Sequence, residues 1–512
     1  MIAMSTQKRS MSTTLRRFSN FLKVLGRNRR GMLGLIILVT FSVMSIFAGV
    51  LAPISPYAEY VSGDFATPAW FRSVFPGYTY SDNFRMLSQA GFPTEASLFE
   101  EWDITTNQNQ LRSADISVQY DPIGNPTTGA QQTGSAVISF TRDGQSYGDV
   151  AEIHFKKQFN FPYTGPPKIF EAKISWFAID AEELRQIELT LLIHRIEANG
   201  SITTYPLWIK QLFQSSFAWE TPVETVSSYG SVKNLMPVTL DPALVIFKPQ
   251  TDYILDLRVK MSDSSNFGHT EATLHVDDLD IQFWGSSFGV LGTDHKGRDL
   301  FSLLVNGSRV SLFVGLLSAF LSVSIGLMIG LVAGYLGRLV DELMMRITDM
   351  LLVLPNLPLL IVLIAVLGPS VFNLILLIGA LGWMGFARTV RSQVLSLRER
   401  PFVEAAKAVG AGKFHIIVRH VLPNVMSLVY VTLALSVPGA ILAEAALSWL
   451  GLFDPTVVSW GRMLNEAQFQ NGIDKPWWIV PPGISIALVS LSFVLLGYAL
   501  DEILNPKLRQ RR

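Results

Sequence analysis

The apolar positions of this chain fall into two regions with different spacing. Near the N-terminus an apolar run extends from about residue 31 to residue 52 and stops before Pro53. Further apolar runs follow residue 284, and most are close to the roughly 20 residues that an α-helix needs to cross a bilayer. These later runs cover residues 310–335, 347–367, 371–387, 421–443 and 479–500. The pattern predicts six transmembrane helices.

Between the first and second runs, residues 57–285 follow a period of two. In 253–261, apolar side chains alternate with Asp256, Arg258 and Lys260, as a half-buried strand requires. Turn signals occur at Asp143-Gly144 and Asn199-Gly200. Similar strand-like runs occur at 137–140, 153–155, 172–176, 187–193 and 274–283. We therefore predict a polytopic α-helical membrane protein that carries an inserted all-β domain, a β-sandwich, at 57–285.

Composition supports a membrane protein, because 49% of the residues are hydrophobic and only 16% are charged. The chain contains no cysteine. Disulfides, thiolate zinc sites and cysteine nucleophiles are therefore excluded.

Charge is strongly segregated along the chain. Segment 1–30 carries lysines and arginines but no acidic residue, and loop 388–420 and the end of the chain are also basic. In 57–285, acidic residues outnumber basic ones. Because positive loops stay in the cytoplasm, we predict that both termini are cytoplasmic and that 57–285 is extracytoplasmic in a multi-pass protein of the cell membrane. A cleaved signal peptide is the alternative for 31–52, but this run exceeds the usual signal core.

The loop at 399–420 contains most of the stretch EAAKAVGAGKFHIIVRHVLPN, which begins at Glu404 and ends at Asn424. Alanines permit close approach of a partner, and Gly410 can adopt the positive φ that ends a helix. An ordinary connecting helix is the alternative. The stretch resembles the EAA motif of ABC importer permeases, whose short helix docks on a cytoplasmic ATPase. The matching residues are Glu404, Ala405, Ala406, Gly410, Leu422 and Pro423, and the predicted docking segment also includes Ala411 and Gly412.

A second stretch, LGTDHKGRDLFSLLVNGSRVSLFVG at 291–315, precedes and enters the second apolar run. It resembles the entry to the core spans in permeases of the dipeptide and oligopeptide importer group. The matching residues are Gly292, Thr293, Asp294, Gly297, Arg298, Asp299, Gly307, Arg309, Ser311 and Gly315. The resemblance covers 27–52 and 291–512 and implies a type I ABC importer-like permease core at 291–512.

The resemblance also implies partners: a homologous permease in a heterodimer, two ATPase subunits and an extracytoplasmic substrate-binding protein. The chain has no phosphate-binding Gly-x-x-x-x-Gly-Lys-Ser/Thr loop, so we assign ATP and its magnesium to the ATPase subunits. We predict no catalytic residue, no cofactor, no metal and no nucleic-acid partner for this chain.

The group resemblance favours di- and oligopeptides as substrate, with oligosaccharides or nickel chelates as alternatives. The closing stretch 253–285 resembles the end of a carbohydrate-binding-type jelly roll, which adds some support to the oligosaccharide alternative. Two other classes compete. An ion-driven transporter would need carboxylates at mid-membrane or inverted repeats, and the sequence indicates neither. A sensor or adhesin would need only one or two spans, fewer than the six predicted.

Several charged residues lie near predicted span ends, where long side chains can reach the interface. We expect the side chains of five such residues to reach the interface, with lining of the translocation path as the alternative: Arg309, Arg346, Asp349, Arg388 and Glu444.

Two other groups lead to local expectations. Pro355 and Pro358 are expected to break backbone hydrogen bonds in the third span. Asp277, Asp278 and Asp280 are expected to be solvated acids on a strand edge, with calcium binding as the alternative.

Overall fold

The computed structural model divides into two compact units, Met1–Ala58 with Leu300–Arg512, and Glu59–Asp299. We call them the helical unit and the β unit. The residues described are 28–75, 77–87, 92–124, 134–145, 147–181, 184–213, 215, 224–236, 241–263 and 267–504. Most of the basic N-terminal segment and the basic tail, which carry the predicted cytoplasmic placement of the termini, lie outside these residues.

The helical unit contains long apolar helices joined by short connections. In chain order its helices are α1 (Arg29–Ile46), α2 (Ala48–Leu51), α3 (Leu300–Leu336), α4 (Arg338–Val353), α5 (Asn356–Leu367), α6 (Val371–Leu381), α7 (Met384–Arg398), α8 (Pro401–Ala408), α9 (Lys413–Ile416), α10 (Leu422–Trp449), α11 (Trp460–Phe469) and α12 (Pro476–Leu504). A π-helical turn, Ile417–Val421, joins α9 to α10.

Four stretches of helix in the described part of the chain are long and apolar enough to cross a membrane by themselves. They are Arg29–Ile46, Leu300–Leu336, Lys413–Trp449 and Pro476–Leu504. Two further helix pairs pass the same test only when each pair is taken together, and the pairs are bent by 88° (α4 with α5) and 41° (α6 with α7). The helical unit therefore has four candidate spans, or up to six if each bent pair is one span.

The predicted third span, 347–367, is not one continuous helix. It is interrupted at Leu354, which has extended dihedral angles (φ −69°, ψ 132°), and α5 begins after Pro355. Proline disfavours helical geometry in the residue before it, so Pro355 explains the break. Pro358 lies in the first turn of α5, where its missing N–H costs no hydrogen bond. The prediction that both prolines disrupt the span is therefore wrong for Pro358.

The fourth predicted span, 371–387, also differs from the structure. α6 ends at Leu381, the chain bends at Gly382, and α7 continues as a helix to Arg398. The first part of the expected basic loop is therefore helical. The physical reason is that Val390, Val394 and Leu397 form a buried stripe at helical spacing.

α3 and α7 pack through a row of glycines. Cβ atoms built at Gly326, Gly330 and Gly334 would lie within 2.6–2.8 Å of atoms of Trp383, Val390 and Val394. A methyl group at these positions would therefore force the helices apart. Small residues at every fourth position are a readable sequence signal for such packing.

The β unit is built from antiparallel strands. These are β1 (Phe84–Arg85), β2 (Asp103–Thr106), β3 (Ala114–Asp121), β4 (Ser135–Gln145), β5 (Val150–Phe161), β6 (Ile169–Ile179), β7 (Leu184–Ile196), β8 (Ile202–Leu212), β9 (Glu224–Ser227), β10 (Thr251–Asp263) and β11 (Phe267–Trp284). Short helices lie at Phe71–Val74, Glu95–Phe99, Ser231–Leu235 and Pro242–Ile246, with a 3₁₀ turn at Gln108–Gln110.

The strands form two sheets. One has the order β3-β4-β11-β6-β9, with β1 added to β11, and the other has the order β2-β5-β10-β7-β8. Side chains from both sheets share one apolar core, in which the rings of Phe159 on β5 and Phe283 on β11 lie 5.9 Å apart. The all-β prediction for this region is confirmed.

The period-two interpretation of 253–261 is confirmed by β10. Its alternate residues Tyr253, Leu255, Leu257, Val259 and Met261 are all fully buried. β10 pairs with β5 on one side and with β7 on the other, so it is an inner strand of its sheet. One apolar face on such a strand is what the alternation predicted.

The two predicted turns had different outcomes. Gly200 has a φ of +81° between β7 and β8, and Asn199 accepts a hydrogen bond from the Ser201 N–H at 3.0 Å, so this turn is confirmed. Asp143 and Gly144 instead continue β4 and pair with His269 and Gly268 of β11. The partner strand, which is distant in sequence, provides the pairing that overrides the local turn preference.

The acidic residues Asp277, Asp278 and Asp280 are buried, not solvated on an edge as expected. They lie at a register shift in β11, where Asp278 has a φ of +54°. The Ser175 hydroxyl donates to Asp278 at 3.0 Å, and Asp280 pairs with Arg85 at 2.5 Å. Within the described residues no group of three or more His, Cys, Asp or Glu side chains is arranged to hold a metal ion.

Candidate coupling site

The residues of the predicted docking segment form a helix followed by a sharp reversal. α8 begins with Pro401, a favourable first residue, and has Glu404 in its first turn. Gly410 has a φ of +86°, and the Ala411 N–H donates to the Ala406 carbonyl at 3.0 Å. This is the hydrogen bond of a glycine-terminated helix end. A Cβ at Gly410 would meet nothing within 4 Å, so the backbone conformation, not space, requires glycine.

One side of the loop is anchored in the helical unit. Val403 is fully buried and Ile416 is almost so, and both belong to one apolar cluster with Val390 and Val394 of α7. The loop is therefore fixed on both sides of Gly410. α8 is therefore packed against α7 through this apolar cluster.

The other side of the loop presents apolar groups to the surroundings. Val409 is 89% exposed and Phe414 is 80% exposed. Val409 also lines an open cavity of about 490 Å³, together with Phe402, Ala405, Ala406, Gly410, Ala411 and His420. Contiguous exposed apolar surface is typical of a protein interaction site.

The structure brings four of the predicted docking residues, Ala405, Ala406, Gly410 and Ala411, to this cavity. Glu404 and Gly412 are exposed but do not line it. Gly412 has an ordinary φ of −65° and precedes α9. Phe402, Val409 and Phe414 were missed by the sequence analysis, although apolar residues in a basic loop were a readable signal.

The predicted motif before the second span forms a closed loop inside the β unit. Asp294 is fully buried and forms an ion pair with Arg298, with Oδ2 2.6 Å from Nε. Thr293 donates to the Gly63 carbonyl at 2.5 Å and accepts from the Ala66 N–H at 2.8 Å. These contacts tie the end of the β unit to its beginning.

Two glycines allow this close approach. Gly292 and Gly297 have φ values of +73° and +66°. Cβ atoms there would lie 2.1 Å from the Ala66 carbonyl oxygen and 2.3 Å from that of Ser62. With Asp299 also buried, the geometry of 292–299 is that of a structural closure of the β unit.

Arg309, a later residue of that motif, lies in the helical unit on α3. Its Nε donates to the Ser45 carbonyl at 2.7 Å, at the C-terminal end of α1. A cation there satisfies carbonyls that have no partner within the helix and suits the helix dipole. Arg309 therefore caps α1.

Glu444 differs most from its expected interfacial position. Only 1% of the residue is exposed. The hydroxyls of Ser448 and Ser311 donate to its carboxylate at 2.8 and 3.4 Å, and Ser459 also hydrogen-bonds to it. The Trp460 N–H in turn donates to Ser311 at 3.2 Å. Since these residues belong to α3, α10 and the start of α11, Glu444 connects three helices.

The other charged residues expected at span ends form pairs. Asp349 on α4 pairs with Arg388 on α7, and Arg346 pairs with Glu342 one turn away on α4. Asp341, which the sequence analysis did not single out, accepts two hydrogen bonds from Arg391 at 2.5 and 2.7 Å. α4 is therefore attached to α7 by two ion pairs.

Comparison with known proteins assigns the sequence to a family. The model of the binding-protein-dependent transport system inner membrane component matches residues 326–510, a range that includes Glu444 and loop 399–420, the candidate coupling loop. A model of the N-terminal TM domain of oligopeptide transport permease C matches residues 17–68. The oligopeptide transport system permease protein OppC of Haemophilus influenzae is 41% identical over 217 residues, which are 42% of this chain and 70% of that protein.

The chain belongs to this family of transport permeases. The permease is also 41% identical to the dipeptide transport system permease protein DppC of Bacillus subtilis, over 43% of this chain and 69% of that protein. Among solved structures it is similar to an inward-facing MetNI methionine ABC transporter, with 19% identity, a TM-score of 0.33, and coverage of 40% of this chain and 95% of that chain.

Proposed function

We propose that this permease forms, with a second homologous permease, the path by which an ATP-driven importer carries di- and oligopeptides across the cytoplasmic membrane. The observation that carries the proposal is the exposed apolar surface around Gly410, in a loop anchored to α7. The names of the relatives from Haemophilus influenzae and Bacillus subtilis support the peptide class.

In this proposal, two separate ATPase subunits hydrolyse ATP and hold α8 in a groove. Phe402, Val409 and Phe414 are the apolar anchors, and Ala405 and Ala406 allow the groove to approach the helix backbone. Movement of the ATPases then displaces α8, and the buried Val403 and Ile416 pass the displacement to α7. An extracytoplasmic binding protein delivers the peptide from the other side.

The proposed topology has six spans, with each bent helix pair counted as one. Both termini then lie in the cytoplasm and the β unit lies outside. The charge segregation of the sequence supports this orientation. Protease added to right-side-out vesicles should cleave within the β unit, and cleavage that requires an opened membrane would contradict the orientation.

We further propose that the β unit is a jelly roll. Its strand order supports this, because β4, β11, β6 and β9 are neighbours in one sheet and β5, β10, β7 and β8 are neighbours in the other. From β4 to β7 the chain alternates between the two sheets, so consecutive strands face each other across the core.

Docking is tested by changing one exposed phenylalanine. Phe414→Ser in the full chain, coexpressed with its ATPase and permease partners, should reduce ATPase copurification by at least about tenfold, the loss of one apolar anchor. Phe372→Ser is the matched control, because Phe372 is 71% exposed at the start of α6, outside loop 399–420. ATPase recovery that is equal in the two variants would contradict the docking assignment.

Substrate class is tested with the assembled importer in vesicles. Uptake of a labelled dipeptide should be reduced by excess unlabelled di- and oligopeptides but not by oligosaccharides or nickel chelates. Competition by an oligosaccharide or a nickel chelate alone would replace the peptide assignment with that alternative.

A further inference from the structure

A second cavity, of about 370 Å³, lies beside the coupling loop in the helical unit. Its lining includes three cationic side chains, those of Arg398, Lys407 and Lys413, and no acidic one. Tyr335, Leu336, Ala411 and Ile416 complete the lining. Three positive charges that converge on one cavity repel each other, so an anion bound there would relieve this repulsion.

The positive charges are largely uncompensated. Within the described part of the chain, neither Lys407 nor Lys413 has an ion pair within 4.0 Å. Arg398 has only the carboxylate of Glu399 at 4.0 Å, and the Glu399 side chain is 77% exposed. The Lys407 ammonium lies 5.9 Å from the centre of the Tyr335 ring, a contact that orients the lysine but leaves its charge in place.

The cavity lies where a membrane helix ends. Tyr335 and Leu336 are the last residues of α3, which is one of the candidate spans. Leu336 is 40% exposed and Leu339, three residues later, is 82% exposed. Tyrosine is enriched at the membrane interface, and exposed leucines suit the glycerol and acyl region next to it. The cavity therefore combines cationic lining residues with exposed leucines at the end of α3 and the start of α4.

We propose that this cavity binds the phosphate group of an anionic phospholipid, with Arg398, Lys407 and Lys413 around the phosphate and Leu336 against the start of the acyl chains. Arginine donates two hydrogen bonds to phosphate oxygens, and lysine adds point charges. Basic pockets beside membrane helices on the cytoplasmic face are suited to lipid head groups. Ala411 lines this cavity and the docking cavity alike, so the lipid would lie directly beside the coupling helix.

The test uses the full-length permease in nanodiscs of phosphatidylcholine with phosphatidylglycerol as the minority lipid. Retained phosphatidylglycerol is measured by native mass spectrometry after the nanodisc lipids are stripped. The double variant Lys407→Gln/Lys413→Gln should retain about tenfold less than the wild type, because each basic residue near an anionic surface contributes several-fold to binding. The matched control is Arg400→Gln/Arg419→Gln, which removes the same charge from the same loop outside the cavity.

Selective loss in the lysine variant supports the proposal. Equal loss in both double variants would show general surface attraction, and unchanged retention in both would show that the cavity binds no lipid; either result overturns the proposal. Inorganic phosphate that displaces phosphatidylglycerol from the wild type at millimolar concentration would identify a free-anion site instead. Displacement by the purified ATPase would identify an acidic protein segment as the occupant. Because no ATPase is present when the two double variants are compared, that comparison is independent of the docking proposal.

Discussion

The guanidinium of Arg309 donates a 2.7 Å hydrogen bond to the carbonyl oxygen of Ser45, although 264 positions separate the two residues in the sequence. The contact closes the C-terminal end of α1 with a side chain from α3. At the other end of α1, a Cβ on Gly34 would lie 2.7 Å from the Ser492 carbonyl oxygen of α12. The first helix is thus held at both ends by parts of the chain that follow the β unit.

Replacing Arg309 with methionine should destabilise the helical unit, because it leaves the Ser45 carbonyl without this donor. We expect a loss of about 1 kcal/mol. Thermal unfolding in detergent measures it. Arg346→Met, which removes an exposed arginine paired with Glu342 on its own helix, should change stability by less than about 0.5 kcal/mol. Equal effects of the two substitutions would show that Arg309 does not cap α1.

Gly410→Val should uncouple transport without unfolding the permease. A β-branched residue strongly disfavours the observed φ of +86°, so the chain would leave α8 in another direction. Peptide uptake by the assembled importer should fall at least tenfold, the effect of about 1.4 kcal/mol of lost docking, while expression and unfolding temperature stay close to wild type.

The control for this substitution is Gly385→Val. A Cβ at Gly385 also meets nothing within 4 Å, but this glycine lies inside α7 with a negative φ. Gly385→Val should therefore keep most of the uptake. If Gly410→Val transports and binds ATPases at the wild-type level, α8 is not the coupling element.

The two substitutions Glu444→Gln and Glu444→Leu should differ in stability. Glutamine keeps an acceptor for the Ser448 and Ser311 hydroxyls, whereas leucine leaves these buried hydroxyls without it. We expect Glu444→Leu to cost about 2–3 kcal/mol and Glu444→Gln about 1 kcal/mol. Measurements of unfolding temperature and expressed yield rank the stability of the two variants and the wild type. A leucine variant more stable than wild type would show that this cluster does not stabilise the fold.

Asp256 should give the β unit an acid-sensitive component of stability. Burial alone would raise its pKa, but hydrogen bonds from His154 and His194, with their charges, outweigh burial and lower the pKa to about 2. The folded value lies below the ~3.9 of an unfolded aspartate. The carboxylate therefore stabilises the folded state above about pH 4, and this contribution is lost as the pH falls towards 2.

Asp256→Asn should accordingly reduce the free energy of unfolding by about 2 kcal/mol near neutral pH and by much less at about pH 2. Tryptophan fluorescence of the full chain in detergent, titrated with acid, measures both. Asp103→Asn, an exposed position on β2 of the same sheet, is the control. A constant difference between wild type and Asp256→Asn across this pH range would contradict the assignment.

The sequence alone was sufficient to predict features that depend on the pattern of neighbouring residues along the chain. Apolar runs predicted where the long helices lie, because a span must be continuously apolar, and the alternation at 253–261 predicted β10, because one face of that strand is buried. The positive φ of Gly410 also followed from the sequence, since glycine is the residue that ends a helix in this way.

Tertiary structure decided which polar groups meet. Glu444 looked like an interfacial residue until α3 and α11 brought Ser311 and Ser459 to it. Asp278 and Asp280 looked exposed until β6 and β1 brought Ser175 and Arg85 to them. Asp143-Gly144 became part of a strand for the same reason. The physical cause is that periodicity reports only which face of an element is apolar. The environment of a polar side chain is set by residues that are distant in sequence and close only after folding.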